Sequence, residues 1–562
     1  MEISDKPIVQ LIVDQCRNHG IRHVVFSPGS RNAPFAISFD NKPNFDTHVI
    51  HDERAAAFYA IGLAQTSNEP VALCCTSGSA VVNYYPAITE AFYRKIPILV
   101  ISTDRPKELV NKGHGQTIMQ NNIFGDHVLS HESFEDLSYD QKIIAKYTEQ
   151  LDDCFSHLKS VLKGPVHINV HLKEPLYETT QNPSSYRKDI DKKGDMQDAF
   201  DLSPALVKSL EAKKILVLCG QNGVHNTLNE ELIVFNQNTN VVVLNENISG
   251  LQDSSFINCI DRTLNSIPEN LEEEYVPEVL VTIGDAVVSK KIKAFFIKNK
   301  PELHIAINYS DIGIDSFHCI GKHLKTSALS FFKALNNSTL NTNASNYKSN
   351  WEELDEFAKK RLPSFFNTEN TNTDIRVFHA INERLDKNTR LHMSNSSVVR
   401  YMQLFDPVKS IKYECNRGTS GIDGSLSTAI GSAIATPKEN HLFISGDISF
   451  IYDSNALWIT PFPENLKMIV IDNQGGGIFR IIDGASTSNQ LERYFEAKHE
   501  ASVIEIAKGF GISGEEVVNF TNFEGSLDSF FNNSAIQLLV IRTDANENPK
   551  ALNRLFKHLK HA

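Results

Sequence analysis

The chain has 562 residues, too many for one hydrophobic core, and this length predicts roughly three domains. Its composition, 41% apolar and 22% charged residues, is ordinary for a globular protein, and its net charge of −13 without a long basic run argues against nucleic acid as the main partner. No apolar stretch approaches the roughly 18 residues that cross a bilayer, and the N-terminal MEISDKPIVQ lacks the order of a signal peptide, so we expect a cytoplasmic protein without a transmembrane segment.

In the first third, the apolar runs HVVFS, THVIH, VALCCTS and IPILVIST predict strands. Between the second and third of these runs, the alanine-rich ERAAAFYAIGLAQ predicts a buried helix. The middle third offers KILVLCG, NVVVLNEN, VLVTIGD and LHIAINYS as strands. The last third offers HLFISGD, LKMIVIDN and IQLLVIRTD, and ALNRLFKHLKHA predicts a closing helix. Strands that alternate with helices predict an α/β fold of three doubly wound parallel sheets.

Two polar stretches separate these segments and predict linkers, at residues 177–197 and 336–350. The predicted domains are therefore residues 1–180, 198–335 and 351–562. The eight cysteines show neither a CxxC pair nor the spacing of a zinc site, and several lie in apolar runs, which indicates reduced, buried thiols. They are Cys16, Cys74, Cys75, Cys154, Cys219, Cys259, Cys319 and Cys415.

The segment from Gly446 to Phe479 carries the strongest indication of a ligand site. Asp447 follows one predicted strand and Asn473 follows the next, 26 residues later. One strand–helix–strand unit brings two such strand ends together at one edge of a sheet. A carboxylate, an amide oxygen and a carbonyl from the glycine loop suit a hard cation such as Mg²⁺, which keeps positions open for phosphate oxygens. The competing interpretation is two buried strands joined by turns.

This arrangement resembles the cofactor anchor of thiamine-diphosphate enzymes, which usually reads Gly-Asp-Gly and, about two dozen residues later, Asn-Asn. Here the third position is Ile448 and the pair is Asp472-Asn473. In those enzymes a glutamate on another domain bonds the cofactor's aminopyrimidine ring, and Glu53, at the start of the predicted alanine-rich helix, fits that position. A carboxylate stabilised by the helix N-terminus is the alternative interpretation of Glu53.

Three arginines lie in loops that follow predicted strands or open small-residue helices. Arg31 lies in FSPGSRNAP, Arg105 in STDRPKEL and Arg417 in NRGTSGIDG. Because arginine binds carboxylates with two parallel hydrogen bonds, converging arginines indicate a substrate with several carboxylates. Taken one at a time, each is better explained as a surface arginine in a turn.

Together, SPGSRNAP, HVIHDERAAAFYAIGLA, TSGSAVVNYYPAITEA, STDRP, NSSVVR, NRGTSGIDG and GDISFIYDSNAL resemble the family of 2-succinyl-5-enolpyruvyl-6-hydroxy-3-cyclohexene-1-carboxylate synthases. The resemblance is dense in both outer segments and thin in the middle one. It implies a transferase of menaquinone biosynthesis with a pyrimidine-binding, a middle and a diphosphate-binding domain. The implied reaction decarboxylates 2-oxoglutarate and adds the succinyl carbanion equivalent to isochorismate, with thiamine diphosphate and Mg²⁺ or Mn²⁺ as cofactors.

The resemblance also implies roles for individual residues. Glu53 matches the glutamate that activates the cofactor, Ile422 matches the residue that bends it, and Asp447, Asn473 and the Gly475 carbonyl match the metal ligands. The cofactor-binding positions match Glu53, Ile422, Asp447, Ser449, Asn473, Gly475 and Ile478. The substrate-binding positions match Arg31, Arg105, Gln116, Lys291, Ser396, Arg400, Arg417, Ile478 and Phe479.

Two positions depart from the family's pattern. Gly115 replaces the frequent Asn before the position of Gln116, and Lys290-Lys291 replaces a Lys-Arg pair in the middle segment. Lysine supplies the charge but not the two-pronged hydrogen bonding of arginine. We interpret the histidines, including His51 and His114, as structural or solvating.

Because Glu53 and Asp447 lie in different predicted domains, the resemblance implies a site shared by two chains, in a homodimer or homotetramer. The near alternative is another thiamine-diphosphate 2-oxo acid decarboxylase or carboligase. The remote alternatives are a non-catalytic binding module and a nicotinamide dehydrogenase, and no G-x-G-x-x-G follows a first strand to support the dehydrogenase.

Overall fold

The computed structural model describes residues 2–136, 140–181, 200–223, 226–311, 315–338 and 345–560. The chain divides into two compact units, each discontinuous in sequence. They comprise Met1–Gly194, Asn416–His441 and Tyr452–Leu466 in the first unit, and Asp195–Cys415, Leu442–Ile451 and Lys467–Ala562 in the second. The three domain ranges 1–180, 198–335 and 351–562 stay a prediction.

Strands and helices alternate along the first 181 residues. In chain order they are β1 (Ile3–Ser4), α1 (Pro7–Asn18), β2 (His23–Phe26), α2 (Ala33–Asp40), β3 (Asp46–Val49), α3 (Glu53–Ser67), β4 (Val71–Cys75), α4 (Ser79–Asn83), α5 (Tyr85–Tyr93), β5 (Ile98–Asp104), β6 (His131–Glu135), α6 (Gln141–Ser156), β7 (Val166–His171) and β8 (Thr179–Thr180). Six strands form a parallel sheet in the order β3-β2-β4-β5-β7-β6, and β1 pairs antiparallel with β8. Strands β4, β5 and β7 are buried at every residue, as expected when both faces of a parallel sheet are covered.

The next segment forms a second parallel sheet. Its elements are α7 (Pro204–Leu210), β9 (Ile215–Cys219), α8 (Asn226–Phe235), β10 (Val241–Asn245), α9 (Ile260–Asn265), β11 (Val279–Ile283), α10 (Lys290–Lys298), β12 (Leu303–Ile307), β13 (Ile320–Leu324) and α11 (Ala328–Asn336). The strand order is β10-β9-β11-β12-β13. Along β9, Ile215 and Val217 pack in one apolar cluster and Leu216 and Leu218 in another, so both faces of this sheet are buried.

The last segment forms the third large sheet. Its elements are α12 (Tyr347–Phe366), α13 (Asp374–Asn382), β14 (Thr389–Met393), α14 (Ser397–Met402), β15 (Lys412–Cys415), α15 (Ser425–Ala435), β16 (Asn440–Gly446), α16 (Asp447–Tyr452), β17 (Leu466–Asp472), α17 (Val503–Gly509), β18 (Gly514–Val517), α18 (Phe523–Asn532), β19 (Leu538–Arg542) and α19 (Glu547–Leu559). The strand order is β15-β14-β16-β17-β19-β18. Strand β14 pairs in parallel with β15, and β19 pairs in parallel with β17 and β18.

The predicted α/β fold with parallel sheets is confirmed. Every apolar run predicted as a strand contains one, the alanine-rich run is α3, and the predicted closing helix is α19. Residues 182–197 of the first predicted linker and 339–344 of the second lie outside the described residues. Among the described residues of the second linker, Asn336 ends α11 and Tyr347 begins α12, and the Tyr347 side chain is buried in an apolar core cluster.

Among the described residues, no helix has the length and apolar character needed to span a membrane.

Candidate functional site

Glu53 is the first residue of α3, just after β3, and is half-buried. The residues on either side fix the start of this helix. The Asp52 carboxylate accepts the Ala55 N–H at 2.8 Å and an Asn455 N–H at 2.7 Å, and the Arg54 guanidinium donates to the Tyr452 carbonyl at 2.6 Å. The Glu53 carboxylate itself accepts a longer bond, 3.5 Å, from the Asn83 amide. The backbone thus holds Glu53, whereas the side-chain bond to Asn83 is long and weak.

Asp447 lies directly after β16 in the second unit and is 2% exposed. Its Oδ1 accepts the Ile448 N–H at 2.7 Å, and its Oδ2 accepts the Gly475 N–H at 2.9 Å. Because β16 and β17 are neighbours in the sheet, the glycine loop after β17 reaches Asp447, as their spacing predicts.

Asn473 follows β17 in the same loop. Among the residues that the structure describes, its side-chain oxygen is buried and accepts no hydrogen bond. The Gly475 carbonyl accepts the Gly477 N–H at 2.9 Å, which leaves a carbonyl oxygen able to accept a second interaction. A buried carboxylate, an orphaned amide oxygen and a carbonyl are a donor set that fits Mg²⁺ or Mn²⁺.

Two further carboxylates make this region strongly acidic. Burial, together with the charge of Asp447, raises the pKa of Asp472 to about 6. Burial raises the pKa of Asp374 to about 6 as well, and Asp447 contributes to this shift. Asp374 accepts hydrogen bonds from Thr543 Oγ1 at 2.6 Å and Asn548 Nδ2 at 2.8 Å. Such a group of carboxylates attracts a cation, which agrees with the fit of the donor set.

His499 and Arg542 balance part of that negative charge, and sequence reasoning missed both. His499 Nε2 lies 3.3 Å from Asp447 Oδ2, and this contact raises the pKa of His499. Arg542 Nη2 lies 3.6 Å from Asp472 Oδ2. A cavity of about 1080 Å³ opens beside them and beside Asn473. His499 follows Asn473 by 26 residues in a segment without a motif, so no sequence signal indicated it.

Ile422 and Arg417 lie in the glycine-rich loop that precedes α15, in the first unit. Ile422 is 38% exposed, whereas Arg417 is buried. Gly424 ends the loop with φ of +71°, and a Cβ there would lie 2.0 Å from a ring atom of Phe58, so only glycine fits. The close contact with Phe58 therefore restricts the backbone at the end of the loop that carries Ile422.

Glu90 holds this loop and was not predicted from the sequence. It lies on α5 and is 1% exposed. Its Oε1 accepts the Gly418 N–H at 2.9 Å, and its Oε2 accepts the Thr419 N–H at 2.7 Å and the Thr419 hydroxyl at 3.0 Å. Three hydrogen bonds to one buried carboxylate fix the backbone beside Arg417.

The remaining predicted residues of the first unit lie in loops after its sheet strands. The Arg31 guanidinium is buried and donates to the Leu172 carbonyl at 3.1 Å and to the Glu174 carboxylate at 3.0 Å. Arg105 Nε donates to the Gly115 carbonyl at 3.0 Å, so the structure brings Arg105 beside the turn of Gln116. Gln116 is exposed and has φ of +54°.

In the second unit, Ser396 precedes α14 with φ of +71°, and the Arg400 guanidinium donates to its carbonyl. The Lys291 ammonium donates to Asn265 Oδ1 at 3.1 Å and lies 3.7 Å from the centroid of the Phe556 ring. Lys291 is thus held by protein groups, and its predicted substrate contact stays a prediction.

Three other predicted residues follow strands β16 and β17: Ser449 comes after β16, and Ile478 and Phe479 come after β17. Ser449 is buried on α16, whereas Ile478 and Phe479 are half-buried beyond the glycines of the loop. The Phe479 ring lies 5.9 Å from that of Phe495. This placement puts apolar side chains next to the polar loop that contains Asn473 and Gly475.

Two protein-family models match the chain. Residues 7–126 match the N-terminal thiamine pyrophosphate-binding domain of thiamine pyrophosphate enzymes, and residues 394–541 match the C-terminal thiamine pyrophosphate-binding domain. The fold and the site therefore define a thiamine-diphosphate enzyme, which confirms the predicted cofactor.

Curated relatives give the family within that class. The chain is 40% identical over 557 residues to a protein of Flavobacterium psychrophilum named 2-succinyl-5-enolpyruvyl-6-hydroxy-3-cyclohexene-1-carboxylate synthase, covering 98% of this chain and 99% of the relative. A protein with the same name from Flavobacterium johnsoniae is 39% identical, over 98% of this chain and 99% of the relative. Another from Christiangramia forsetii is 38% identical, over 100% of both chains. The chain belongs to the 2-succinyl-5-enolpyruvyl-6-hydroxy-3-cyclohexene-1-carboxylate synthase family.

Proposed function

We propose that this protein decarboxylates 2-oxoglutarate and adds the succinyl carbanion equivalent to isochorismate, giving 2-succinyl-5-enolpyruvyl-6-hydroxy-3-cyclohexene-1-carboxylate and CO₂. The observation that carries the proposal is the match to relatives of that name over nearly the whole of both chains. The reaction is a step of menaquinone biosynthesis.

Asp447, Asn473 and the Gly475 carbonyl would hold Mg²⁺ or Mn²⁺, supported by the orphaned Asn473 oxygen and the surrounding carboxylates. Bound thiamine diphosphate supplies a carbon nucleophile and an electron sink for the decarboxylation. Ser449 and Ile478 would contact the cofactor, and Ile422, whose side chain is partly exposed in the glycine-rich loop, would support its bent conformation.

Glu53 would exchange a proton with the aminopyrimidine ring. Its carboxylate accepts a long bond from Asn83, and a stronger partner could replace that bond without breaking the helix cap formed by Asp52. The fixed backbone restricts where the carboxylate can point. This arrangement orients a proton-transfer group before the ligand arrives.

Six cationic or polar residues would bind the substrate carboxylates: Arg31, Arg105, Gln116, Ser396, Arg400 and Arg417. Isochorismate carries two carboxylates, and 2-oxoglutarate keeps one after decarboxylation, so several cations are needed. Arg400 with Ser396 would hold the distal carboxylate of 2-oxoglutarate. Arg31, Arg105 and Arg417 would hold isochorismate, with Ile478 and Phe479 as apolar neighbours and Lys291 as a weaker contributor.

The test is incubation of the full chain with thiamine diphosphate, Mg²⁺, 2-oxoglutarate and isochorismate, with product identification by mass spectrometry. We expect one adduct and one CO₂ per turnover, and loss of both with Glu53→Gln but not with the exposed Glu69→Gln. Faster turnover of pyruvate than of 2-oxoglutarate, without an isochorismate adduct, would instead favour another 2-oxo acid decarboxylase or carboligase.

A homodimer or homotetramer and a cytoplasmic location are further parts of this proposal, and both rest on the resemblance. Sedimentation at assay concentration tests the first, because a fully active monomer contradicts a site shared by two chains.

A further inference from the structure

Three metal-ligating side chains meet in the second unit, far along the chain from the cation-binding loop. They are His304 on β12 and Asp315 and Cys319 in the segment before β13. Their donor atoms all lie within 4.8 Å of one another, and Cys319 Sγ lies 3.8 Å from His304 Nδ1. The proposed reaction uses none of these residues.

The His304 ring is oriented so that Nδ1 faces the thiol. Its Nε2 lies 2.9 Å from Thr282 Oγ1, and the edge of the buried Phe317 ring packs against it, with centroids 5.7 Å apart. In the tautomer whose Nε2–H donates to Thr282 Oγ1, Nδ1 presents a lone pair towards the thiol, which is the form and support typical of metal-bound histidine.

Asp315 and Cys319 are fixed to each other by the backbone. Asp315 Oδ1 accepts the Cys319 N–H at 3.0 Å and the Ile320 N–H at 3.2 Å. A carboxylate held through one oxygen can give its second oxygen to an ion. Cys319 is the only one of the eight cysteines that is not fully buried, so an ion can reach its sulfur.

The sulfur-to-nitrogen distance and the types of donor atom suit Zn²⁺. Zn²⁺ bonds sulfur at about 2.3 Å and nitrogen at about 2.0–2.1 Å, and a tetrahedral angle between them separates the two ligands by roughly 3.6 Å. The 3.8 Å between Cys319 Sγ and His304 Nδ1 is close to that value. Mg²⁺ and Ca²⁺ prefer oxygen ligands, whereas a sulfur, nitrogen and oxygen set favours zinc.

We propose that His304, Asp315 and Cys319 form a Zn²⁺ site whose fourth position is taken by water. The ion would tie the segment before β13 to β12, its neighbour in the sheet, and so brace this edge of the sheet. The thiol of Cys319 would lose its proton to solvent as zinc binds, and the ion would exchange all but one of its water ligands for the sulfur, the His304 nitrogen and an Asp315 oxygen.

The site can be tested with Co²⁺, a spectroscopic substitute for Zn²⁺, added to the full chain already saturated with thiamine diphosphate and Mg²⁺. We expect one equivalent to produce near-ultraviolet thiolate-to-cobalt absorption together with the visible bands of tetrahedral cobalt, both displaced by Zn²⁺. Cobalt bound at the cofactor loop would lack the thiolate absorption, because the ligands proposed there are oxygens.

Variants locate the ligands. Cys319→Ser should abolish the thiolate absorption, and Thr282→Val should lower Zn²⁺ affinity about 10- to 100-fold by removing the support of His304. His318→Asn, at the exposed neighbour with φ of +53°, is the matched control and should keep the absorption. Absence of a one-equivalent thiolate band in the unaltered chain, or its persistence in Cys319→Ser, would overturn the proposal. If Cys319→Ser does not fold, an unchanged Zn²⁺ affinity in Thr282→Val would overturn it equally.

Discussion

The contact of Glu90 with the glycine-rich loop gives a prediction whose size follows from the structure. Glu90→Gln keeps the side-chain volume but replaces one acceptor oxygen with an NH₂ group. Both carboxylate oxygens of Glu90 accept a backbone N–H, from Gly418 at 2.9 Å and from Thr419 at 2.7 Å. In either orientation of the glutamine amide, its NH₂ group therefore faces one of these two N–H donors. The loss is at least one hydrogen bond to a charged group, about 1.5–3 kcal/mol.

That energy corresponds to about a 10- to 150-fold rise in the population of loops detached from Glu90. Hydrogen exchange measured by mass spectrometry should show it as faster exchange of the Gly418 and Thr419 amides by the same factor. Because the loop carries Ile422 and Arg417, calorimetry with Mg²⁺ present should also show weaker binding of thiamine diphosphate.

The control is Glu108→Gln, which changes an exposed glutamate of the same unit and should alter neither measurement. Unchanged amide exchange together with unchanged cofactor affinity in Glu90→Gln would refute the role assigned to Glu90. Faster exchange with normal cofactor affinity would instead mean that the loop matters for folding but not for the cofactor.

Four further predictions concern the proposed site and the pH dependence of stability. Glu53→Gln should slow deuterium exchange at the thiazolium C2 of bound cofactor by at least about 100-fold, measured by NMR, and an unchanged rate would remove Glu53 from proton transfer. Asp447→Ala should prevent tight cofactor binding in calorimetry with Mg²⁺, and normal affinity would disprove the metal assignment. Arg400→Ala should impair the use of 2-oxoglutarate about 10- to 150-fold and Arg105→Ala that of isochorismate, and equal losses for both substrates in both variants would contradict this division. Burial raises the pKa of Asp453 to about 7, well above its unfolded value, so the native chain binds more protons and stability should fall as pH rises from about 4 to about 7. Denaturant titrations should show a shallower fall for Asp453→Asn.

The sequence predicts best the strands that are wholly apolar. Strands β6, β13, β15 and β18, which were not predicted, lie at sheet edges, where one side faces no neighbouring strand and polar residues are tolerated. Two strands inside their sheets, β7 and β14, were also missed, and β7 shows why. It alternates His167, Asn169 and His171 with apolar residues, and these polar side chains form buried hydrogen bonds with neighbouring strands.

The candidate site shows the same division between local and distant information. Asp447 and the loop of Asn473 could be placed together from sequence, because one strand–helix–strand unit determines their separation. Glu90 and His499 could not, since each acts on a residue far away in the chain through tertiary packing. Cys319 and His304 were missed similarly, because their spacing matches no zinc motif and only the pairing of β12 with β13 brings them together.

Two positions of the proposed metal site, Ile448 and Asp472, depart from the usual thiamine motif. Neither position has to supply a side-chain ligand to the ion. Ile448 replaces a glycine, but its contribution to Asp447 is a backbone N–H, which any residue except proline supplies. Asp472 replaces an asparagine and adds a carboxylate, and its raised pKa and the nearby Arg542 both reduce that negative charge. Asp447 and Asn473, whose own oxygens would bind the ion, have the residue types that the motif requires. The degenerate motif is therefore compatible with an intact donor set. A position tolerates substitution where it contributes only a backbone N–H or a charge that neighbours can reduce, and it does not where its own side-chain oxygen would bind the ion.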